Sequence, residues 1–275
     1  MNLKAAIIDL YDNEPNQGMR CLQDIIKETD ASEKDVNLSY NIYETRYKNE
    51  IPGTDYDIYI SSGGPGSPFD GEGSDWEKKY FNLLDSIWTH NQTHQRKKYI
   101  FFVCHSFQIM ARYFKFAEVT DRHSKSFGVM PVHKTEDGEN EPLFNGLPDP
   151  FHAADFRDYQ VIQPNQKVMD ELGVKILALE KERPHIDRER AIMAVRISDE
   201  IFGTQFHPEA DPESMYYHFK QPERKEQVVE KHGIEKYDMM LSLLEDPNAI
   251  QLTRKTVIPG FLKTAIYKLL TVMAA

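Results

Sequence analysis

Apolar positions along this chain fall into two habits. Residues 5–10 read Ala-Ala-Ile-Ile-Asp-Leu, and Tyr99–Val103 reads Tyr-Ile-Phe-Phe-Val. Short, near-continuous apolar runs belong to strands covered on both faces, as in a parallel sheet. Between 17 and 28, by contrast, Met19, Leu22, Ile25 and Ile26 recur at helical spacing. Residues 76–90 and 107–116 read as further helices. Residues 36–43 alternate as a strand should, and 57–60 form a short strand that enters the turn Ser-Ser-Gly-Gly-Pro-Gly-Ser-Pro at 61–68. This β-α-β-α order predicts a mostly parallel sheet wrapped by helices, an α/β fold.

The middle of the chain changes character. Residues 128–132, 151–161, 174–179 and 191–197 read as short strands separated by turns, with few helices. A last strand over 201–205 ends in Phe206-His207-Pro208-Glu209. From Asp211 the pattern is helical and heavily charged. Near the end, Ile258, Phe261, Leu262, Ala265, Ile266, Leu269, Leu270 and Met273 form an apolar stripe, with Lys263, Thr264, Tyr267, Lys268 and Thr271 on the other face. A helix starting at Pro259 and docked on the core is the expectation, with a second copy of the chain or a membrane surface as alternative covers. Two lysines and Pro259-Gly260 argue against a membrane span.

Composition narrows the picture. A length of 275 residues suits one large α/β domain, or one domain with an appendage. With 40% hydrophobic and 28% charged residues the chain reads as globular. A formal net charge of -11 argues against a nucleic-acid partner, because phosphate binding wants a basic surface. The two cysteines, Cys21 and Cys104, and an N-terminal run too short for a secretory signal suggest a reduced, cytoplasmic setting.

Three features could carry chemistry. Cys104 ends an apolar strand and precedes a helix, which presents its sulfur at the carboxyl edge of the sheet, where open α/β folds bind ligands. The positive end of a helix favours a thiolate. A lone cysteine in an apolar run is more often structural, so His207-Pro208-Glu209 matters. In extended chain, residues two apart point to the same side, so Glu209 can orient His207 while the ring's other nitrogen faces a nucleophile. Gly63-Gly64-Pro65-Gly66 lets backbone approach a ligand and aim N–H donors at it. A phosphate loop fits less well, since Pro65 removes a donor and no Gly-Lys-Ser/Thr follows. His90 and His94, four apart on a helix, lack an evident third metal ligand, so no metal site is expected there.

Ser-Gly-Gly-Pro-Gly-Ser-Pro after the third strand, Val-Cys-His-Ser-Phe-Gln at 103–108 and Gly-Thr-Gln-Phe-His-Pro-Glu at 203–209 resemble class I glutamine amidotransferases, in particular the stand-alone branch similar to GMP synthase subunits. The resemblance covers about residues 1–215, which it implies form the amidotransferase-like, flavodoxin-like domain. Residues 216–275 are left as a helical extension packed on the core or on a partner.

The resemblance implies a hydrolase acting on the side-chain amide of glutamine or another γ-glutamyl compound. Cys104 matches the nucleophile, His207 the base and Glu209 its orienting carboxylate. Gly64 and His105 match the oxyanion donors, and Gly66, Gln108 and Tyr159 fall at substrate-side positions. Glutamine or a γ-glutamyl compound is the implied small-molecule partner, and the implied reaction needs no metal or organic cofactor. A synthetase or acceptor protein and a homodimer are left open.

Two family glycines around the nucleophile are replaced by Phe102 and Ser106. Phe102, two residues before Cys104, is expected to lean to the same face and crowd the turn. That crowding favours the alternative of a weak or idle binding subunit. Where the family often carries a histidine, this chain has Asp155-Phe156-Arg157-Asp158-Tyr159.

Overall fold

The computed structural model describes residues 1–183 and 189–274. In chain order the elements are β1 (Asn2–Asp9), α1 (Gly18–Ser32), β2 (Asn37–Glu44), α2 (Thr45–Lys48), β3 (Ile58–Ser61), α3 (Asp75–Thr93), β4 (Tyr99–Val103), α4 (His105–Phe114), β5 (Glu118–Lys134), α5 (Glu136–Glu139), β6 (Phe151–Ile162), α6 (Gln166–Leu172), β7 (Lys175–Glu180), β8 (Ile192–Ser198), β9 (Ile201–Thr204), α7 (Pro212–Phe219), α8 (Pro222–His232), α9 (Ile234–Glu245) and α10 (Ile250–Ala274). A 3-10 turn at Pro142–Phe144 precedes β6.

All the strands join one sheet in the order β2-β1-β3-β4-β9-β8-β7-β5-β6. β2, β1, β3, β4 and β9 run parallel. The remaining strands, contributed by the chain's middle, are joined antiparallel. The apolar runs behave as two-sided burial demands. In β1, Leu3, Ala5 and Ile7 enter one core, while Ala6 and Ile8 enter the other. The first core lies under α1 and α10, the second under α3 and α4. A third cluster, with Met215, Phe219, Val228, Tyr237 and Met240, seats α7–α9 on β5 and β6 around Val129 and Ala154.

β5 is longer than the alternation over 128–132 suggests. Its first half, from Glu118, is mostly polar and pairs with β6 across a register break between Asp121 and Ser126. α10 also begins earlier than expected and runs through Pro259. Proline removes one helical hydrogen bond, at a cost of roughly 3 kcal/mol. Burial of Val257, Ile258, Phe261 and Leu262 offsets that cost. The stripe is covered by the protein's own core: Phe261 packs on Phe101 and Tyr99, with ring centroids 5.3 and 6.4 Å apart. The Met273 side chain lies outside the described residues. Among the described residues no helix is long and apolar enough to cross a membrane.

Phe261→Ala is therefore expected to cost about 3–5 kcal/mol, the usual range for a large ring removed from a core. Urea unfolding measures it, and a loss below about 1 kcal/mol would mean that α10 is not part of this core.

Candidate active site

The site begins with one backbone conformation. β4 stops at Val103, and Cys104 takes φ 48° and ψ -98° before α4 starts. For a residue with a Cβ such a conformation costs on the order of 1–3 kcal/mol and persists only where its surroundings fix it. Here they do. The Cys104 N–H donates to the Thr204 carbonyl of β9 at 2.8 Å, and the Cys104 carbonyl accepts from the Gln108 N–H at 3.1 Å. The buried Ser106 hydroxyl accepts from the Val103 N–H at 2.9 Å and donates to the Ser61 carbonyl at 2.8 Å. The serine that stands in place of a family glycine thus ties the elbow to β3.

The expected crowding by Phe102 is absent. Phe102 is buried in the second core beside Ile100 and Phe107, whereas Cys104 belongs to the first. The turn at Cys104 breaks the strand alternation, so the two side chains part. In the sheet Phe102 stands between Ser61 and Gly203, both small. A Cβ at Gly203 would come within 2.9 Å of Phe107 and Met110, so glycine there lets α4 pack closely on β9.

The sulfur, almost fully covered, lies 3.5 Å from the Phe156 carbonyl and 3.7 Å from Gln205 Nε2. Gln205 Oε1 accepts from Gln108 Nε2 at 3.1 Å, and Gln108 also donates to the Tyr159 carbonyl at 3.3 Å. Gln205 was missed by the sequence reading. Its signal was there, since it lies two residues before His207 as Glu209 lies two after.

His207 follows β9 and is pinned by its N–H to the Ala154 carbonyl at 2.8 Å. Its Nδ1 meets Glu209 Oε1 at 2.8 Å, and Glu209 is 1% exposed. Burial works against a charged ring. The sulfur of Cys104 and the carboxylate of Glu209 outweigh it and hold the His207 proton well above the ordinary histidine range.

The glycine loop closes the site from the other side. A Cβ at Gly63 would lie 2.8 Å from His207 Cε1, and one at Gly64 would lie 2.4 Å from the Leu10 carbonyl oxygen. At Gly64 the obstacle is backbone, so only glycine fits; at Gly63 it is the His207 ring, which would have to give way. Arg46, on the four-residue α2, donates to the carbonyls of Pro65 at 2.7 Å and Leu10 at 3.3 Å, and reaches His105 Nε2 at 3.4 Å. Burial, with Arg46 and Arg112 nearby, pushes His105 down to about 3, so its ring is neutral and can accept from Arg46. Nothing in the local pattern had marked Arg46. Among the described residues neither the Gly64 nor the His105 N–H donates to an acceptor.

Gly66, at φ 82°, lines the chamber above Asp70, and the half-buried Tyr159 ring meets Phe69 at 6.2 Å. In the stretch where a histidine is common, buried Arg157 donates through Nε to both Asp155 oxygens at 3.1 Å. Ser126 also donates to Asp155, at 2.6 Å. His90 and His94 stack 4.0 Å apart, with His90 Nε2 at 2.8 Å from the Arg96 carbonyl. No cluster of three metal-ligating side chains occurs among the described residues.

The geometry thus brings Cys104, His207, Glu209, Gly64, His105, Gly66, Gln108 and Tyr159 to one chamber of about 970 Å³ at the carboxyl edge of the sheet. Both cysteines are free. Burial, with Asp211 and Glu209 nearby, pushes the Cys21 thiol up to about 12, which leaves it unreactive near neutral pH. Iodoacetamide at pH 7 is accordingly expected to label Cys104 and spare Cys21, read by peptide mass spectrometry. Preferential labelling of Cys21 would remove Cys104 from consideration.

The family model of glutamine amidotransferase class-I matches residues 20–221, and the chain belongs to that family. Among curated proteins no sequence matches it. Solved structures share its fold. A glutamine amidotransferase from Thermotoga maritima superposes with a TM-score of 0.62 at 16% identity over 97% of each chain. A glutamine amido transferase from Methylobacillus flagellatus gives 0.57 at 12% identity, covering 98% of this chain and 94% of that one. The Trypanosoma brucei CTPS glutaminase domain, solved with bound acivicin, gives 0.54 at 15% identity, covering 75% and 86%. At these identities the likeness speaks for the fold.

Proposed function

We propose that this protein hydrolyses the side-chain amide of glutamine or another γ-glutamyl compound through Cys104, His207 and Glu209. The observation that carries this reading is the strained Cys104 turn facing a His207 whose other nitrogen is held by buried Glu209 at 2.8 Å. Strain at a fully determined position, with base and orienting carboxylate in reach, is the arrangement a nucleophile needs.

The Cys104 thiolate attacks the γ-carbonyl carbon. The oxyanion that forms is met by the free N–H groups of Gly64 and His105. His207, kept protonated by its two neighbours, gives its proton to the departing nitrogen, and ammonia or an amine leaves. Water, deprotonated by His207, then opens the thioester and releases glutamate. Gly66, Gln108 and Tyr159 line the side of the chamber that would hold the γ-glutamyl group. If glutamine is the substrate, a synthetase or other acceptor of ammonia belongs to the reaction. With Phe102 turned away from the nucleophile, the crowding that favoured an idle subunit is removed. Release of glutamate and ammonia from glutamine, compared between wild type and Cys104→Ala, tests the reading.

A further inference from the structure

The chamber beside Cys104 has two unlike ends. One is formed by the glycine loop, His105, Gln108 and Tyr159. The other, past His207, carries Phe127, Phe156, Met215, His218 and Val228 among polar neighbours such as Ser126. Met215 and Val228 are buried, the Phe127 and Phe156 rings meet edge to face at 5.0 Å, and Phe156 lies between His207 and His218 at 5.9 and 5.7 Å. α7 and α8 supply Met215, His218 and Val228, so this end exists because the chain continues past β9. The cavity of about 970 Å³ stands near the top of the range for sites that enclose drug-sized ligands, on the order of 300–1,000 Å³. Glutamine fills a small part of it.

The reaction gives the chamber a direction. With the oxyanion toward Gly64 and His105, the departing nitrogen must face His207 to be protonated. Any substituent on that nitrogen is then aimed past His207 at Phe156. Resting on the function proposed above, we infer that the aromatic end is a leaving-group compartment, and that the preferred substrates are γ-glutamyl amides of amines bearing an apolar ring. Cys104 Sγ bonds to the γ-carbonyl carbon. The C–N bond breaks with its electron pair going to nitrogen, and the His207 proton follows it, so the ring-bearing amine leaves. Water then gives its proton to His207 and its hydroxyl to the carbonyl carbon, and the sulfur departs as thiolate. Burying a ring in such a compartment is worth roughly ten- to a hundredfold in kcat/KM.

The test compares glutamate release from L-glutamine and from γ-L-glutamylbenzylamide by the full chain, by Cys104→Ala and by Phe127→Ala. The benzylamide is expected to show a kcat/KM at least about tenfold above that of glutamine. In Phe127→Ala the ratio between the two substrates is expected to fall several-fold. Cys104-dependent turnover of glutamine with no preference for the benzylamide overturns the compartment and leaves the proposed reaction standing. Absence of Cys104-dependent release from either substrate overturns both. An unchanged ratio in folded Phe127→Ala also overturns the compartment, and the wild-type preference decides the matter if that variant does not fold.

Discussion

Cys104→Ala is expected to abolish glutamate release, a fall of at least about 10⁴-fold, since removing a covalent nucleophile leaves only binding and oxyanion contacts to act. The loss should not come from unfolding. Alanine meets the same backbone cost at φ 48° as cysteine does, and the bonds that fix the turn are made by backbone groups and by Ser106. The sulfur's own contacts, at 3.5 and 3.7 Å to Phe156 and Gln205, are long and weak. The melting temperature of the variant should therefore stay close to that of the wild type. A folded Cys104→Ala protein that keeps a tenth of the wild-type rate would place the chemistry elsewhere.

Glu209→Gln is expected to lower kcat by roughly 10³- to 10⁴-fold, less than loss of the sulfur, because an orienting carboxylate acts through the histidine. The sign of its pH effect follows from what holds the His207 proton. Burial opposes the charge, while Cys104 and Glu209 support it. Removing one of those supports lowers the His207 pKa. In the proposed reaction a protonated His207 releases the amine, so the alkaline limb of the kcat/KM profile should move to lower pH. Measuring that limb in wild type and variant separates orientation from packing. If it does not move, Glu209 does not set the protonation of His207.

Burial made much of this legible in the sequence. The runs of β1 and β4, the helical spacing in α1 and the stripe in α10 all announce elements covered by protein, and all are found. The pattern failed where polar contacts or local geometry decide. The first half of β5 carries Glu118, Asp121, Arg122, His123 and Lys125 on a ribbon with a register break, so no apolar period marks it. Pro259 looked like a helix start because its neighbours' burial is invisible to a local rule. Phe102 was assigned to the wrong face because strand alternation was carried one residue too far, into a turn that reverses it. Arg46 and the Ser106 hydroxyl act on backbone carbonyls distant in sequence, which no spacing reveals. The pairing of His207 with Glu209 was legible from their spacing of two, whereas contacts that depend on the fold closing were obscure.

Gly63 gives that closing an asymmetry. One added carbon there would sit 2.8 Å from the imidazole and 3.1 Å from the Tyr11 hydroxyl, and the ring is the movable partner. The sheet and the Cys104 elbow, which do not touch that carbon, would survive the change, yet the His207 ring would be displaced. On the proposed reaction, a single methyl at position 63 is thus a short path from a working site to a folded but silent one.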